Sequence, residues 1–291
     1  MRKVKASLNI FAAAAIVAAI LLAASAVTAQ GISVNTGSLG IAADGTHSSG
    51  VTIGLPGLLA DPGDESVGYP NPEMGGFGPY HTACDFLSEL NPPAGQPFTI
   101  EFWAEPWTDA GDYGAGPAPV FNRLGGGGDR SGWVFYQRDS GTGWNFSMYS
   151  GQGGTVGISL TGGSSSPYSI NHVVAVYDGS TAYLYHNGNL VDSASGLYSA
   201  NTGGVIFNVG AYSNNALGDN SYRGGMDEVA FYGVALTASQ IQDHYGAGSS
   251  ATPGEYAAQV IIDGALLYWQ NLPEGVPAES HSWGHVKSLF Y

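Results

Sequence analysis

Pairs of carboxylates are the residues of this sequence best suited to acid–base chemistry. Enzymes that cleave glycosidic bonds use two carboxyl groups about 5 to 9 Å apart. Asp227 and Glu228 are neighbours in a predicted strand, which places their side chains on opposite faces. Glu101 and Glu105 share a face, but the strand between them separates them by about 13 Å. Neither arrangement predicts a catalytic pair, and a pair assembled from distant loops stays open.

Other catalytic motifs are missing from the sequence. It has no G-x-S-x-G and no H-E-x-x-H pattern, and after the first five residues Lys287 is the only lysine, which excludes a Walker-type phosphate loop. The single cysteine, Cys84, has no partner for an internal disulfide, so we expect it to act as a small buried hydrophobic residue. His281 and His285 could share a metal ion if they lay on one helix, but the three residues between them form a helix poorly. We therefore expect both histidines to be surface residues rather than metal ligands.

Aromatic residues near predicted loops offer a different chemistry, the recognition of sugars. An exposed ring stacks on the C–H face of a sugar, and neighbouring amides and carboxylates bond its hydroxyls. The candidate ligand-binding residues are Trp107, Tyr113, Trp144, Asn145, Tyr212, Asn214 and Asp219. Packing in a core is the alternative for each aromatic. Trp103 and Trp133 fall within predicted strands, so we expect both to be structural.

The composition indicates a β-rich chain with many tight turns. Of 291 residues, 45 are glycine and 11% are charged, whereas an average domain has about 7% glycine and ~25% charged residues. The hydrophobic fraction of 44% argues against disorder. The net charge is −15, so the chain cannot neutralise phosphates and nucleic acid is excluded as a partner. Divalent cations suit this surplus of carboxylates.

Residues 1–29 are predicted to be a signal peptide. Three basic residues lie among the first five, Asn9–Ala24 is apolar, and small residues lead to Ala29, after which we expect cleavage. An uncleaved membrane anchor is the alternative, because the apolar run is long enough to span a bilayer. Both interpretations predict export, as a secreted or cell-surface protein. No later segment is apolar enough to cross a membrane, so we expect no stable insertion after cleavage.

Alternating or aromatic-rich runs predict about ten strands. In Phe98–Trp103, the side chains of Phe98, Ile100 and Phe102 share one face. Asn187-Gly188 matches a type I′ turn between two further strands. By contrast, the stretch from Ile32 to Pro97 reads as loop-rich. The strands predicted after Trp103 are Trp133–Gln137, Trp144–Tyr149, Val156–Leu160, Val173–Tyr177, Thr181–His186, Asn189–Asp192, Val205–Val209 and Met226–Tyr232.

One short helix is predicted near the end of the domain. Thr237 and Gln240 fit a capping box, and Gly246 is a natural stop. Many antiparallel strands without β–α–β alternation predict an all-β fold, a two-sheet antiparallel jelly-roll sandwich. We therefore expect one domain over residues 30–246, a linker over 247–255 and a C-terminal tail over 256–291.

Three motifs resemble, in order, the laminin G-like domains of the concanavalin A-like jelly-roll family. Phe98–Trp103 is similar to the family's FTxExW strand. His172–Gly179 with Leu184–Gly188 is similar to its meander, and Gly225–Tyr232 to its closing strand. With a looser match at Leu55–Leu58, the resemblance covers about two-thirds of the chain. It implies the fold and says little about function. The ExDxxE strand of the hydrolases with this fold is missing.

The resemblance also implies a structural calcium ion. Related jelly rolls place Ca²⁺ beside the closing strand, where the aspartate of the DEV motif contributes, and here that aspartate is Asp227. Asp44 lies where the family has an early acidic turn, and Asp64 lies in an acidic loop, so both are further candidate ligands. The alternative is that Asp227 caps a turn or bonds backbone amides.

The C-terminal segment 256–291 resembles the opening of a further repeat. Domains of this family open with a short YWxL strand, which Ile32–Ala43 lacks, whereas Leu267–Gln270 is similar to it. The tail then fills the edge of its own domain, adds a strand to a neighbouring copy, or is the remnant of a lost repeat. The second hypothesis predicts self-association through 256–291.

The residues and the resemblance together predict an exported, non-catalytic binding or adhesion module. Its expected partner is an extracellular glycan or a surface protein, with Ca²⁺ stabilising the fold. A polysaccharide hydrolase or lyase on the same fold is one alternative. A structural subunit that assembles head to tail through the C-terminal segment is the other.

Overall fold

The structure is a computed structural model that describes residues 31–71, 80–113, 116–124, 129–153, 155–202, 204–211 and 221–271, without the side chains of Asp112 and Tyr113. The predicted signal peptide lies outside the described residues. Among those described, no helix is both long and apolar enough to cross a membrane.

The described residues contain sixteen strands, two α-helices and three short 3-10 helices. The strands are β1 (Ile32–Ser33), β2 (Gly45–His47), β3 (Thr52–Pro56), β4 (Glu65–Pro70), β5 (Thr82–Cys84), β6 (Phe98–Pro106), β7 (Val120–Leu124), β8 (Ser131–Gln137), β9 (Trp144–Tyr149), β10 (Val156–Gly162), β11 (Asn171–Tyr177), β12 (Thr181–His186), β13 (Asn189–Ser195), β14 (Phe207–Val209), β15 (Arg223–Tyr232) and β16 (Leu267–Trp269). The helices are α1 (Ala238–Gly248) and α2 (Glu255–Ile262).

The strands form two antiparallel eight-stranded sheets within the described residues. Sheet A has the order β1-β2-β5-β14-β7-β8-β9-β10. Sheet B has the order β13-β12-β11-β6-β15-β4-β3, and β16 pairs with β15 beside this path. The predicted all-β sandwich is confirmed, with the correction that there are two helices rather than one.

The core between the sheets follows from the alternation of β6. Phe98, Ile100 and Phe102 point into it, as predicted, and are fully buried. Phe102 meets Phe135 of sheet A edge to face, with ring centroids 4.9 Å apart. Cys84 is buried in the same core. Burial of large aromatic side chains from both sheets is what holds the sandwich together.

A second apolar cluster covers the opposite face of sheet B. Trp103, which alternates with the core residues of β6, packs here with Tyr232, Ile241, Tyr256 and other residues of the two helices. Sheet B is therefore buried on both faces over part of its length.

The local sequence signals of the second half hold in detail. Asn187 and Gly188 have φ of 50° and 74°, as a type I′ turn requires. Thr237 and Gln240 form both bonds of a capping box at the start of α1. The segment predicted to be loop-rich, Ile32 to Pro97, instead contains β1 to β5, and these strands are only two to six residues long.

The C-terminal segment folds onto the same chain. Helix α1 continues past Gly246, the predicted stop, to Gly248, and the segment predicted to be a linker ends in the first residue of α2. Strand β16 pairs with Val229–Phe231 of β15. It lies beyond the part of β15 that pairs with β4, so it occupies an edge that β4 leaves open. Residues 272–291 lie outside the described residues.

Candidate functional site

Three carboxylates meet where β15 passes the turn between β3 and β4. Asp64 lies just before β4, and Asp227 and Glu228 lie in β15. Each side chain offers an oxygen, and these oxygens lie within 4.8 Å of one another. Asp227 and Glu228 are 0% and 5% exposed. We call these three residues the acidic cluster. No other group of three metal-ligating side chains is as close in the described part of the chain.

Asp227 and Glu228 share this site because β15 is irregular at this point. Its pairing with β6 shifts register between Asp227 and Ala230. Glu228 has a φ of 50°, in the left-handed region that residues other than glycine rarely adopt. A bulge of this kind re-aims a side chain and interrupts the alternation of a strand. The prediction that the two carboxylates point to opposite faces is therefore wrong.

Backbone and side-chain amides hold Asp227 in place. Its Oδ2 accepts a hydrogen bond from the Leu58 N–H at 2.9 Å. Its Oδ1 accepts from the Glu228 N–H at 3.0 Å and from Asn271 Nδ2 at 3.2 Å. In contrast, Glu228 Oε2 is buried without a hydrogen-bond partner. A buried polar atom normally has a hydrogen-bond partner, since leaving it without one costs about 1–3 kcal/mol.

Burial and mutual repulsion disfavour negative charge in the acidic cluster. Burial, followed by repulsion from Asp64, raises the pKa of Asp227 and of Glu228 well above the ordinary carboxyl values. Burial also raises the pKa of Asp64, although hydrogen bonds to Asp227 and to the Leu59 N–H oppose this effect. A bound cation would remove the repulsion, because it would favour the charged form of all three groups.

The donor set fits a hard divalent cation. Ca²⁺ binds carboxylate oxygens and tolerates irregular geometry, and every ligand atom offered here is a carboxylate oxygen. The structure brings together two of the three predicted ligands, Asp64 and Asp227, and adds Glu228. Asp44 lies elsewhere, where its Oδ1 accepts a hydrogen bond from the Asn35 N–H at 2.7 Å.

A second buried carboxylate, Glu101, is fully engaged by four side chains. Its Oε1 lies 2.7 Å from His172 Nε2 and accepts from the Tyr256 hydroxyl at 2.7 Å. Its Oε2 lies 2.9 Å from His244 Nδ1 and accepts from the Tyr232 hydroxyl at 3.0 Å. Sequence reasoning considered Glu101 only as half of a catalytic pair. Two of its partners, His172 and Tyr232, lie in sheet B, and the other two, His244 and Tyr256, lie in the helices. Glu101 therefore links the helices to the sheet.

The histidines set the charge of Glu101. Burial alone would raise the pKa of Glu101, but His244 and His172 lower it well below the ordinary value. Burial alone would lower the pKa of His244, but Glu101 and Asp263 raise it to about 9. The Asp263 carboxylate, at the end of α2, lies 2.9 Å from His244 Nε2. The network is thus a charged, hydrogen-bonded unit.

Two predicted ligand-binding residues are buried instead. Trp144 is 0% exposed and packs edge to face against Phe102 in the core between the sheets. Asn145 is 3% exposed, and its Nδ2 donates to Ser159 Oγ, Leu160 O and Thr161 Oγ1. Both residues follow a turn, a position that predicts exposure. The Trp144 side chain instead points from β9 into the core between the sheets. Neither offers a surface to a ligand.

Among the predicted aromatics whose side chains the structure describes, Trp107 keeps an accessible surface. Its indole Nε1 donates to Glu105 Oε2 at 3.1 Å, and its backbone N–H donates to Arg223 O at 3.0 Å. The side chain is half-buried. Its ring lies against Gly68, where a Cβ would come within 2.8 Å of it. A glycine at this position thus lets the indole rest on the outer face of sheet B.

The remaining candidates fall outside what is described. Tyr113 ends a short 3-10 helix, Ala110–Tyr113, but its side chain is outside the described residues. So are all atoms of the other candidates, Tyr212, Asn214, Asp219, His281 and His285.

Comparison with known proteins agrees with the fold. The family model described as the concanavalin A-like lectin/glucanases superfamily, of laminin G type, matches residues 82–242. No curated protein matches the sequence.

Three solved structures share the fold at low sequence identity. The binding domain of Paraclostridial mosquitocidal protein 1 is 17% identical, with a TM-score of 0.52 over 74% of this chain and 51% of that chain. The botulinum neurotoxin serotype D binding domain is 11% identical, with a TM-score of 0.51 over 73% and 48%. The receptor binding domain of the botulinum neurotoxin C/D mosaic serotype is 10% identical, with a TM-score of 0.50 over 74% and 51%. The chain spans about half the length of each of these domains.

The family model covers more than half of the sequence, and its match includes β6, the β11–β13 meander and the closing strand β15. This chain belongs to the laminin G-type family of the concanavalin A-like lectin/glucanases superfamily.

Proposed function

We propose that the protein is an exported, non-catalytic module that binds glycans and holds Ca²⁺ in its acidic cluster. The observation that carries the binding proposal is the Trp107–Glu105 pair on the outer face of sheet B. The fold shared with toxin binding domains supports a role in binding. The basic start of the chain and its apolar run, Asn9–Ala24, support export.

The Trp107–Glu105 pair has the chemistry that sugar recognition needs. The indole face suits the C–H face of a pyranose ring, and the Glu105 carboxylate accepts hydrogen bonds from hydroxyls. The hydrogen bond to Glu105 and the contact with Gly68 fix the ring before a ligand arrives. A preformed ring loses little conformational entropy on binding, which favours affinity.

The acidic cluster supports the calcium part of the proposal. Asp64 belongs to the turn before β4 and Asp227 to β15, so an ion bound by both would join segments far apart in the sequence. The unpartnered Glu228 Oε2 gives the ion a further ligand. Ca²⁺ would convert three repelling carboxylates into a cross-link and so stabilise the fold.

The close carboxylates support a structural role better than a catalytic one. A glycosidase needs its two carboxyl groups to flank a bound sugar. Asp227 and Glu228 are buried, which leaves no space for a sugar between them. Glu101 is likewise buried and bonded to four side chains.

A glycan panel tests the proposed function. The full chain without residues 1–29 is applied to immobilised glycans, first with Ca²⁺ and then with a chelator, alongside Trp107→Ala and Trp107→Phe. We expect binding of at least one glycan class, a loss of about tenfold or more in Trp107→Ala, and partial retention in Trp107→Phe. The Tm of each variant, measured in parallel, controls for folding.

Two outcomes would overturn the proposal. Release of reducing ends from a polysaccharide panel by the wild type would establish the hydrolase alternative. Failure of the folded wild type to bind any glycan, with Ca²⁺ present, would rule out the glycan-binding module and favour a protein partner or a structural subunit.

A further inference from the structure

Tyr168 is an exposed aromatic residue in an unfavourable backbone conformation. Its side chain is 74% exposed, and its φ is 59°. The left-handed region is costly for a side chain with a bulky ring, and such conformations persist where the surrounding structure imposes them. Glycine would adopt this φ freely. Exposure of the ring to solvent therefore does not by itself explain a tyrosine at this position.

The loop between β10 and β11 holds Tyr168 firmly in this conformation. The Tyr168 N–H donates to Pro106 O at 2.6 Å. Before it, the fully buried Ser165 donates its hydroxyl to Arg138 O at 2.6 Å. After it, Asn171 Nδ2 donates to Ser169 O at 2.6 Å. A ring presented on an anchored loop is preorganised for contact with a ligand.

The anchoring bond also places Tyr168 beside the glycan site proposed above. Pro106 ends β6 and directly precedes Trp107. Ile170, the residue before β11, is 46% exposed, and β11 pairs with β6 from Asn171, opposite Ala104. The end of β6 that carries Trp107 therefore lies next to a loop that bears an exposed aromatic and an exposed aliphatic residue.

We infer that Tyr168 is a second stacking surface of the glycan site and that the site takes neutral glycans. This inference rests on the proposed function and deepens it. Two aromatic residues on adjoining segments accommodate more than one sugar unit of an oligosaccharide. Ile170 extends the apolar surface next to Tyr168, and Glu105 accepts hydrogen bonds from hydroxyls near Trp107.

The distribution of charge selects neutral ligands over acidic ones. The carboxylate at the site, Glu105, would repel a sialylated or sulfated glycan, and the chain as a whole carries a net charge of −15. Of the four arginines after residue 5, Arg123, Arg130 and Arg138 lie over the rings of two tyrosines of sheet A. The fourth, Arg223, adjoins the site, because its carbonyl oxygen accepts the Trp107 N–H at 3.0 Å. One guanidinium there does not outweigh Glu105 together with the net negative charge of the chain.

The test compares Tyr168 variants against neutral and acidic oligosaccharides. Affinities for neutral oligosaccharides and for sialylated and sulfated ones are measured by calorimetry for wild type, Tyr168→Phe, Tyr168→Ala and Tyr168→Gly. Ile41→Ala, at a residue 87% exposed in another part of the chain, is the matched control. Thermal melting of every variant is recorded in the same buffer.

We expect neutral oligosaccharides to bind and acidic ones to bind at least tenfold more weakly. Tyr168→Ala and Tyr168→Gly should each weaken binding about tenfold, whereas Tyr168→Phe and Ile41→Ala should leave it nearly unchanged. Tyr168→Gly should also keep or raise the Tm, because glycine relieves the backbone conformation. Loss of binding without loss of stability is a combination that a merely structural residue does not produce.

Different failures point to different errors. If Trp107→Ala abolishes binding and Tyr168→Ala does not, the proposed function stands and this inference is wrong. Preference for acidic glycans also overturns the inference while leaving the glycan-binding module in place. If the folded wild type binds no glycan at all, both are wrong.

Discussion

Glu228 follows Asp227 in the chain, yet both carboxylates reach the same buried site, because Glu228 adopts a φ of 50°. In a regular strand the two side chains would lie on opposite faces. The irregularity in β15 therefore builds an acidic cluster that ordinary strand geometry could not. The unpartnered Glu228 Oε2 is the cost of this arrangement without a cation.

Glu228→Gln is expected to have opposite effects on the metal-free and the Ca²⁺-treated protein. Without metal, the amide removes a buried carboxyl and its Nε2 can donate to a neighbouring carboxylate, so the free energy of unfolding should rise by about 1–3 kcal/mol. With Ca²⁺, the variant should gain little, because a charged ligand is lost. Urea unfolding with and without Ca²⁺ measures both effects.

The control is Glu89→Gln, which changes an exposed carboxylate in a short 3-10 helix. It should keep the wild-type response to Ca²⁺. An undiminished calcium response in Glu228→Gln would contradict the assignment of this residue as a ligand.

The stabilisation by Ca²⁺ should grow with pH. Asp227 and Glu228 have pKa values well above the ordinary 3.8 and 4.5 in the folded protein. The metal-free folded state thus binds more protons than the unfolded state, and its stability falls as pH rises above these ordinary values. Ca²⁺ competes with those protons, so the Tm increase that it produces should be small at about pH 4 and larger at about pH 7.5. A Tm increase that is independent of pH would contradict a site built from these carboxyls.

Glu101→Gln should destabilise the protein strongly. It removes one of the two carboxylates that hold the buried His244, and breaking a buried ion pair costs about 3–5 kcal/mol. The free energy of unfolding from urea titration checks this value, with Glu89→Gln again as the control. A loss below about 1 kcal/mol would mean that the network contributes little.

The same network predicts how stability responds to pH. The pKa of His244 is raised to about 9 from the ordinary 6.5. Its contribution is complete below 6.5 and is lost as pH rises through about 9. Glu101 has a lowered pKa, so its contribution is present above the ordinary 4.5 and is lost as pH falls. The fall in Tm between pH 6.5 and 9 should be smaller in Glu101→Gln than in wild type, and an equal fall would contradict this account.

Trp269→Ala should test the docking of the C-terminal segment. Trp269 is 2% exposed, and its Nε1 donates to Ala43 O at 2.7 Å. Removal of a large buried aromatic costs about 3–5 kcal/mol, and Trp269→Phe should cost less. Loss of β16 would also expose the edge of β15, so Trp269→Ala should associate at high concentration in light scattering. Association of the wild type to the same extent would contradict the pairing of β16 within its own chain.

Local signals could be read from the sequence because they depend on few residues. The alternation of Phe98, Ile100 and Phe102, the Asn187-Gly188 turn and the Thr237–Gln240 capping box all involve neighbours in the chain, and the structure has each of them. Strands β1 to β5 escaped prediction because they are short and pair with distant strands, such as β5 with β14.

The candidate site depends on contacts that cannot be predicted from the order of residues in the sequence. Asp64 is a candidate because of its acidic loop and Asp227 because of the family resemblance, whereas strand alternation excludes Glu228 from the same site. A positive φ at a glutamate has no clear sequence signal. The position of Trp144 after a turn predicts exposure to a ligand, but the face it occupies on β9 is set by the pairing of β9 with β8 and β10. No motif in the sequence points to Tyr168.

The most direct test of the central claim is an NMR titration of the tryptophan indole N–H resonances with an oligosaccharide selected by the glycan panel. Trp107 should shift progressively with ligand, because its partly exposed ring and its bond to Glu105 belong to the proposed site. The fully buried Trp133 and Trp144 should not shift. A titration in which Trp107 stays unmoved while the ligand binds would contradict the claim that this face of sheet B binds glycans.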